Sequence, residues 1–354
     1  MQFAKLRSAA RFNLATSGVE NFPISELPVS LADLELTGAS IYGYPPLQQA
    51  LAAHCGVPEE CIVAAVGTSL ANHLALAAIA EHGDEILIED PTYELIVSTA
   101  RFLGLQIRTF PRRFENGFAI DSREVERNIT PRTRAVFICN LHNPSGVLTD
   151  EATLQAIADI ARSVGAKVIV DEVYLDAAFD LKPRSAFHLS PSDFVVTNSL
   201  TKVYGLSGLR CGWILAEAEL ARRIWRINDL FGAVAPHPAE RLSVVALRHL
   251  GHIGDRARSF LERNRAALKR FLESRDDLEY VWSEHGTTSF PRLRTGDVER
   301  LDALLRDKYE TSVVPGKFFG MRQHFRIGLG GDAEMTKEGL RRLAQALDEL
   351  RADK

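Results

Sequence analysis

The chemistry in this chain gathers around Lys202, in the stretch Ser199-Leu-Thr-Lys202-Val-Tyr-Gly205-Leu-Ser-Gly208-Leu-Arg210-Cys-Gly-Trp213. A lysine kept from bulk water gives up its proton, and the neutral amine forms an imine with a carbonyl compound. Ser199 and Arg210 flank the lysine closely enough to meet one phosphate, the arginine through two parallel N–H bonds. Gly205 and Gly208 permit close backbone approach or positive φ. Taken alone, the stretch fits equally a surface loop in which Lys and Arg have no task. Metal chemistry finds no footing: His54, Cys55 and Cys61 match no zinc spacing, no second Cys/His cluster follows, and they read as structural.

What has to position Lys202 is a repeated β/α pattern. Asp193–Asn198 suits a short buried strand, which puts the lysine just past a strand's carboxyl end, where ligands bind in open α/β sheets. Cys61–Val66 reads as a strand, followed by Gly67-Thr68-Ser69 and an alanine-rich helix over Leu70–Ile79. Its amino terminus is a ready phosphate site, although simple capping by Thr68 or Ser69 explains the same residues. Strands at Asp84–Asp90, Ala135–Cys139 and Val168–Val170 end in turn at Tyr93, at Asn140-Leu-His-Asn143-Pro-Ser-Gly146, and at Asp171-Glu-Val-Tyr174. Polar groups therefore recur where apolar strands stop, and a doubly wound sheet collects those ends on one edge.

Elsewhere the spacing predicts a helix opening at Pro45 or Pro46, another capped by Thr149 and stopped at Gly165, and long helices at Glu217–Asn228, Ala239–Leu250 and Asp255–Ser274. Beyond Leu278 short strands return at 287–293, 311–314 and 325–329, with helices at Val298–Tyr309 and from Thr336 to Arg351. A large domain over 31–250 and a smaller α+β domain from 1–30 and 251–354 are expected, in keeping with 354 residues.

Composition narrows the classes. A net charge of −4 gives no electrostatic case for nucleic acid or an anionic membrane. Four scattered cysteines make no disulfide framework, so a reducing cytoplasm is the expected location. Met1–Arg11 lacks the apolar core of a secretory signal, and no run of apolar residues is long enough for a membrane span.

With Asn143, Asp171, Tyr174, Lys202 and Arg210 in this order, the chain resembles the class I/II aminotransferases, fold type I enzymes that use pyridoxal 5′-phosphate. The resemblance runs from about Asn13 to the final helix and rests most on Ser199-x-x-Lys202 with Arg210, Asp171-x-x-Tyr174 and Asn140-x-x-Asn143-Pro-Ser-Gly146. It implies an α/β fold, a mostly parallel sheet in an α/β/α sandwich with a smaller α+β domain. It implies that Lys202 holds the cofactor and acts as base, that Asp171 pairs with the ring nitrogen, and that Asn143 and Tyr174 bond the phenolic oxygen. Tyr93 stacks on the ring, and Thr68, Ser69, Ser199 and Arg210 hold the phosphate. Tyr42, with Tyr44 the alternative, resembles the tyrosine that reaches a neighbouring subunit's phosphate, which implies a homodimer with shared active sites.

Arg326 resembles the arginine that clamps the substrate α-carboxylate, with Asn143 and the Gly18 backbone beside it. The expected partners are an amino acid and a 2-oxo acid, and the expected reaction is ping-pong transamination. A neutral or aromatic donor with 2-oxoglutarate as acceptor is favoured, because no sequence feature places a second cation near the substrate side chain. A carbon–sulfur β-lyase or an amino acid decarboxylase on the same scaffold would share nearly all these residues. A non-catalytic pyridoxal phosphate-binding module is the alternative from another class, disfavoured by the complete residue set and by the lack of room for a DNA-binding segment before Asn13.

Overall fold

The strands leading to Asp171 and Ser199 are apolar on both faces, which is the pattern of a parallel sheet covered by helices on each side. The computed structural model describes residues 10–39 and 41–352. Of the segment Met1–Arg11 read above, residues 1–9 lie outside the described residues.

In chain order the first half runs β1 (Phe12–Asn13), α1 (Pro45–Cys55), β2 (Ile62–Val66), α2 (Thr68–Ile79), β3 (Glu85–Asp90) and α3 (Glu94–Phe102). It continues through β4 (Gln106–Pro111), α4 (Ser122–Asn128), β5 (Thr133–Cys139), α5 (Glu151–Ser163), β6 (Lys167–Asp171), β7 (Phe194–Ser199) and β8 (Cys211–Leu215). Three helices follow: α6 (Ala218–Asn228), α7 (His237–Arg248) and α8 (Leu250–Glu273). The last part holds β9 (Leu278–Glu279), β10 (Thr288–Ser289), β11 (Arg292–Leu293), α9 (Val298–Tyr309), β12 (Thr311–Ser312), β13 (Val314–Pro315), β14 (Phe325–Gly328) and α10 (Ala333–Ala352).

Seven strands make the main sheet, in the order β2-β8-β7-β6-β5-β3-β4. β8 runs antiparallel to both its neighbours, β2 and β7, while the pairs β3–β4, β3–β5, β5–β6 and β6–β7 are parallel. That reversal places the amino-terminal end of β8 on the edge where the other strands finish. Arg210, the residue before β8, is thereby delivered to the same edge as Ser199 and Asp171. On one face Val63, Ile88, Phe137, Ile169 and Val195 pack with Leu74 of α2, Ile96 of α3 and Ile224 of α6. On the other Leu87, Val136, Ile138, Val170 and Trp213 pack with Leu51 of α1, Leu154 of α5 and Leu261 of α8. Each such side chain contributes about 1.5–3 kcal/mol through burial, and the two layers fix the sheet that carries the strand ends.

The amino-terminal segment ties distant parts together. β1 pairs in parallel with β12, the Gly328 N–H donates to the Leu14 carbonyl at 2.7 Å, and the Val19 N–H donates to the Lys202 carbonyl at 2.7 Å. Residues 12–20 thus run between β14 and the lysine loop.

Several expected boundaries move. α2 starts at Thr68 rather than Leu70, because Gly67 takes a left-handed φ of 77° and its carbonyl accepts the Ala71 N–H. Asp150, and not Thr149, caps α5 through the Thr153 N–H, while the Thr149 N–H bonds the Asn140 side chain. Asp332, and not Thr336, opens α10, accepting from the Glu334 and Met335 N–H groups. The run 287–293 splits into β10 and β11 around Pro291, which has no N–H for a ladder. Among the described residues no helix is long and apolar enough to cross a membrane.

Candidate active site

A cavity of about 700 Å³ opens at the carboxyl edge of the sheet. Thr68, Ser69, Tyr93, Asn143, Asp171, Tyr174, Ser199, Lys202, Arg210 and Arg326, all singled out from sequence, line it. Gly18 lies against the lysine, since a Cβ built there would be 3.5 Å from Lys202 Cδ. Tyr42 is not brought to this cavity: it is 55% exposed, its ring leans on Trp225, and its hydroxyl donates to Asp229 at 2.8 Å. Tyr44 precedes α1 and packs its ring nearly perpendicular to that of His237.

One end is built for an anion. α2 begins there without a side-chain cap, so its first N–H groups and the positive end of its dipole face outward. Thr68 Oγ1 donates to Ser199 Oγ at 2.8 Å, joining the hydroxyls from β7 and α2. Arg210 sits at φ 52°, with its guanidinium so close to Gly67 that a Cβ there would lie 2.2 Å from Nη2. Only glycine leaves room for that arginine, whose own bonds to the Ser207 and Val66 carbonyls are long, at 3.3 and 3.5 Å.

The other end holds a carboxylate and an amine. Asp171 is 4% exposed; burial pushes its carboxyl up to about 6, against the pull of hydrogen bonds from Asn72 Nδ2 at 2.8 Å and the Val173 N–H at 3.1 Å. Burial also brings the Lys202 amine down to about 8, helped by the Arg326 charge and opposed by Asp171. Near neutrality a useful fraction of that amine is therefore unprotonated. The Tyr174 hydroxyl, pushed up to about 12 by burial, donates to Ser17 Oγ at 2.8 Å, and Lys202 Nζ donates to the same oxygen at 3.3 Å. Burial raises the Tyr93 hydroxyl as well.

The opposite wall comes from β14. Arg326 is 6% exposed, donating from Nη1 to Asn143 Oδ1 and from Nη2 to the Ala15 carbonyl, each at 3.0 Å. Its buried Nε has no hydrogen-bond partner among the described residues. A buried guanidinium with an orphan donor calls for an anion.

Ser17 and Asn72 escaped the sequence reading although both line the cavity. Ser17 stood next to the glycine singled out for substrate, a signal that reached only its neighbour. Asn72 stands beside His73 in the mostly apolar run Leu70–Ile79, where it read as one more helix position. An anion-accepting helix terminus with hydroxyls and Arg210, a lysine of lowered basicity, and a buried carboxylate form the donor set that pyridoxal 5′-phosphate requires at its phosphate, carbonyl and ring nitrogen. The residues present fit that cofactor.

A family model described as "Aminotransferase class I and II" matches residues 35–347. The chain is 29% identical to a capreomycidine synthase of Streptomyces vinaceus, over 96% of this chain and 90% of that one. It is 28% identical to the arginine–pyruvate transaminase of Pseudomonas aeruginosa, covering 83% of this chain and 76% of the relative. Among solved structures, a PLP-dependent aminotransferase from Streptococcus suis superposes with a TM-score of 0.92 at 26% identity, over 98% of this chain and 96% of that one. A PLP-dependent cyclase, OrfR, gives 0.84 at 26% identity, over 96% and 93%.

Proposed function

We propose a role for each residue of the cavity from one premise: the chain belongs to the class I and II aminotransferases and works with pyridoxal 5′-phosphate. The observation that carries the assignment is the meeting of Lys202, Asp171 and Arg326 in one cavity. Bound there, the cofactor supplies an electron sink for the substrate Cα. Arg210, Thr68, Ser69 and Ser199 hold its phosphate, Tyr93 lies against its ring, and Asp171 keeps its ring nitrogen protonated. Asn143 and Tyr174 bond its phenolic oxygen. Lys202 holds its carbonyl carbon between turnovers.

Arg326 binds the substrate α-carboxylate through its uncommitted Nε edge, with Asn143 and the Gly18 backbone beside it, and so fixes the Cα–H bond relative to Lys202. The unprotonated Lys202 amine would take the proton from the substrate Cα and deliver it to the carbon that was the cofactor's carbonyl carbon, a task suited to a base near 8. An amino acid would leave as a 2-oxo acid with water supplying the oxo oxygen, its amino group staying with the cofactor until a second oxo acid takes it and releases water in the return half. The charged residues of the lining are Asp171, Lys202, Arg210 and Arg326, all of them engaged by these roles. A neutral or aromatic donor fits that lining. 2-Oxoglutarate is the acceptor carried over from the sequence, and pyruvate belongs beside it in the assay because the lining offers no further cation for a distal carboxylate.

Exposed Tyr42 neighbours Ile41, and Leu230, Phe231 and Val234 are exposed as well. A second copy covering that face, with Tyr42 reaching its phosphate site, accounts for both features, and we assign a homodimer on that basis. All four cysteines are free, which suits a reducing cytoplasm.

Incubating the cofactor-loaded protein with single amino acids and no oxo acid tests the reaction. One equivalent of 2-oxo acid per site, and then a halt, is expected. Sustained release of pyruvate, ammonia or an amine would replace this reading with a β-lyase or a decarboxylase. A second reading, favoured by the near-full-length matches to a capreomycidine synthase and a cyclase, is a ring-closing reaction on the same residues. It is recognised by a cyclised product formed continuously without an oxo acid.

A further inference from the structure

Thr68 and Asn72 stand four residues apart on α2, so the helix turns both toward the cavity, the first at the anion site and the second at Asp171. Thr197 is the cross-strand partner of Asp171 in the β6–β7 register. Its hydroxyl donates to Asn72 Oδ1 at 2.6 Å, and Asn72 Nδ2 donates to Asp171 Oδ2 at 2.8 Å. All three side chains are buried. An ionised carboxylate only accepts, so Asp171 takes the Nδ2 end of Asn72 and leaves Oδ1 to accept from the Thr197 hydroxyl. With the amide reversed, Oδ1 would face Asp171 Oδ2, a contact that only a protonated Asp171 tolerates.

We propose that Asn72 and Thr197 are positioning residues for Asp171: Thr197 satisfies Oδ1 of the buried Asn72 amide and holds it in place, and Nδ2 of that amide favours the ionised carboxylate at the cavity wall, one helical turn from the phosphate site. The inference rests on the function proposed above. The chain of donors runs one way, from Thr197 through Asn72 to Asp171, so a proton is disfavoured on Oδ2 and left to a partner in the cavity. Lys202, Tyr174, Tyr93, Glu172 and Cys139 also face Asp171 electrostatically. None of them holds it through the Asn72 side. Because α2 also starts the anion site, the arrangement sets the separation between phosphate and carboxylate by a rigid helical turn rather than by a loop.

The test uses the full chain loaded with pyridoxal 5′-phosphate and three variants: Asn72→Leu, Thr197→Val and Thr197→Ser. Four readouts are taken: the pH titration of the bound cofactor's visible absorbance, its dissociation constant, kcat and donor KM. For Asn72→Leu, kcat falls about 10–100-fold with KM within about threefold, as is typical for losing an outer partner of a functional ligand. The acid limb of kcat and the absorbance titration both move to higher pH, and cofactor binding weakens. Thr197→Val moves them in the same direction by less, and Thr197→Ser restores them. Thr197→Val replaces a hydroxyl with a methyl of similar volume, so it carries the test if Asn72→Leu does not fold. Folded variants with wild-type titrations and kcat overturn the proposal. So does a loss of thermal stability with the pH limb in place, which would reduce the pair to packing. A wild-type protein that takes up no cofactor overturns the proposed function itself, a result separable from these.

Discussion

Among the carboxylates buried near this edge of the sheet, Glu89 and Asp171 differ in what their partners leave open for chemistry. Glu89 on β3 is 0% exposed and accepts from Arg112 Nη1 at 2.8 Å and from the Cys139 N–H at 2.7 Å. The other two nitrogens of Arg112, Nε and Nη2, donate to the Phe118 carbonyl and Thr149 Oγ1. Burial pushes the Glu89 carboxyl up, and Arg112 opposes the shift from contact distance. Asp171 at the end of β6 has no such contact: a neutral amide and one backbone N–H hold it, and Lys202 acts on it through its field. Depth of burial does not separate the two. The difference is the partner set, complete around Glu89 and short of one cation around Asp171, where a protonated ring nitrogen would supply it. The arginines divide in the same way: every nitrogen of Arg112 makes a hydrogen bond, while Arg326 Nε has no partner among the described residues.

The contrast breaks if the two carboxylates respond alike to substitution. Asp171→Asn should lower kcat/KM by about 1,000-fold or more, roughly 4 kcal/mol of transition-state stabilisation, while the protein remains folded; steady-state kinetics with circular dichroism decide it. Glu89→Ala should do the reverse. Leaving Arg112 as a buried unpaired charge costs about 3–5 kcal/mol of stability in denaturant unfolding, with activity per folded molecule within about threefold of wild type. Arg326→Leu sharpens the comparison of arginines: kcat/KM for the donor falls about 100-fold, mostly in KM, with cofactor affinity little changed, as expected for losing a charge-assisted contact to a carboxylate.

The smallest effect is on the cofactor-free protein. Asp171 titrates near 6 when folded against an ordinary 3.8, so the native state holds the extra proton between those values and stability falls as pH rises through them. Asp171→Asn therefore stabilises the apoprotein by about 1–3 kcal/mol above pH 6 and makes no difference below about pH 4. Melting curves across that range would contradict the account if the gain persisted at low pH.

The sheet-side half of the site was legible because each of its residues follows an apolar run, and a doubly wound sheet needs no tertiary knowledge to gather strand ends. The opposite wall was not legible from pattern. Arg326 and the Ala15 carbonyl it binds are 311 residues apart, and no periodicity joins them; only resemblance singled out Arg326. β4 went unread because it is an edge strand whose exposed positions carry Gln106, Arg108 and Thr109, which breaks the apolar run that marked β5 and β6. Asn72 went unread because its role depends on Thr197, 125 residues on, and a helix in isolation gives no reason for its amide.

Every role proposed for the cavity depends on Lys202 being the residue that holds the cofactor. Borohydride reduction of the cofactor-loaded protein, followed by peptide mass mapping, tests it most directly. A single pyridoxyl group per chain is expected on the peptide containing Lys202, and none in Lys202→Ala. A pyridoxyl group fixed on another lysine, or its persistence in Lys202→Ala, would contradict it.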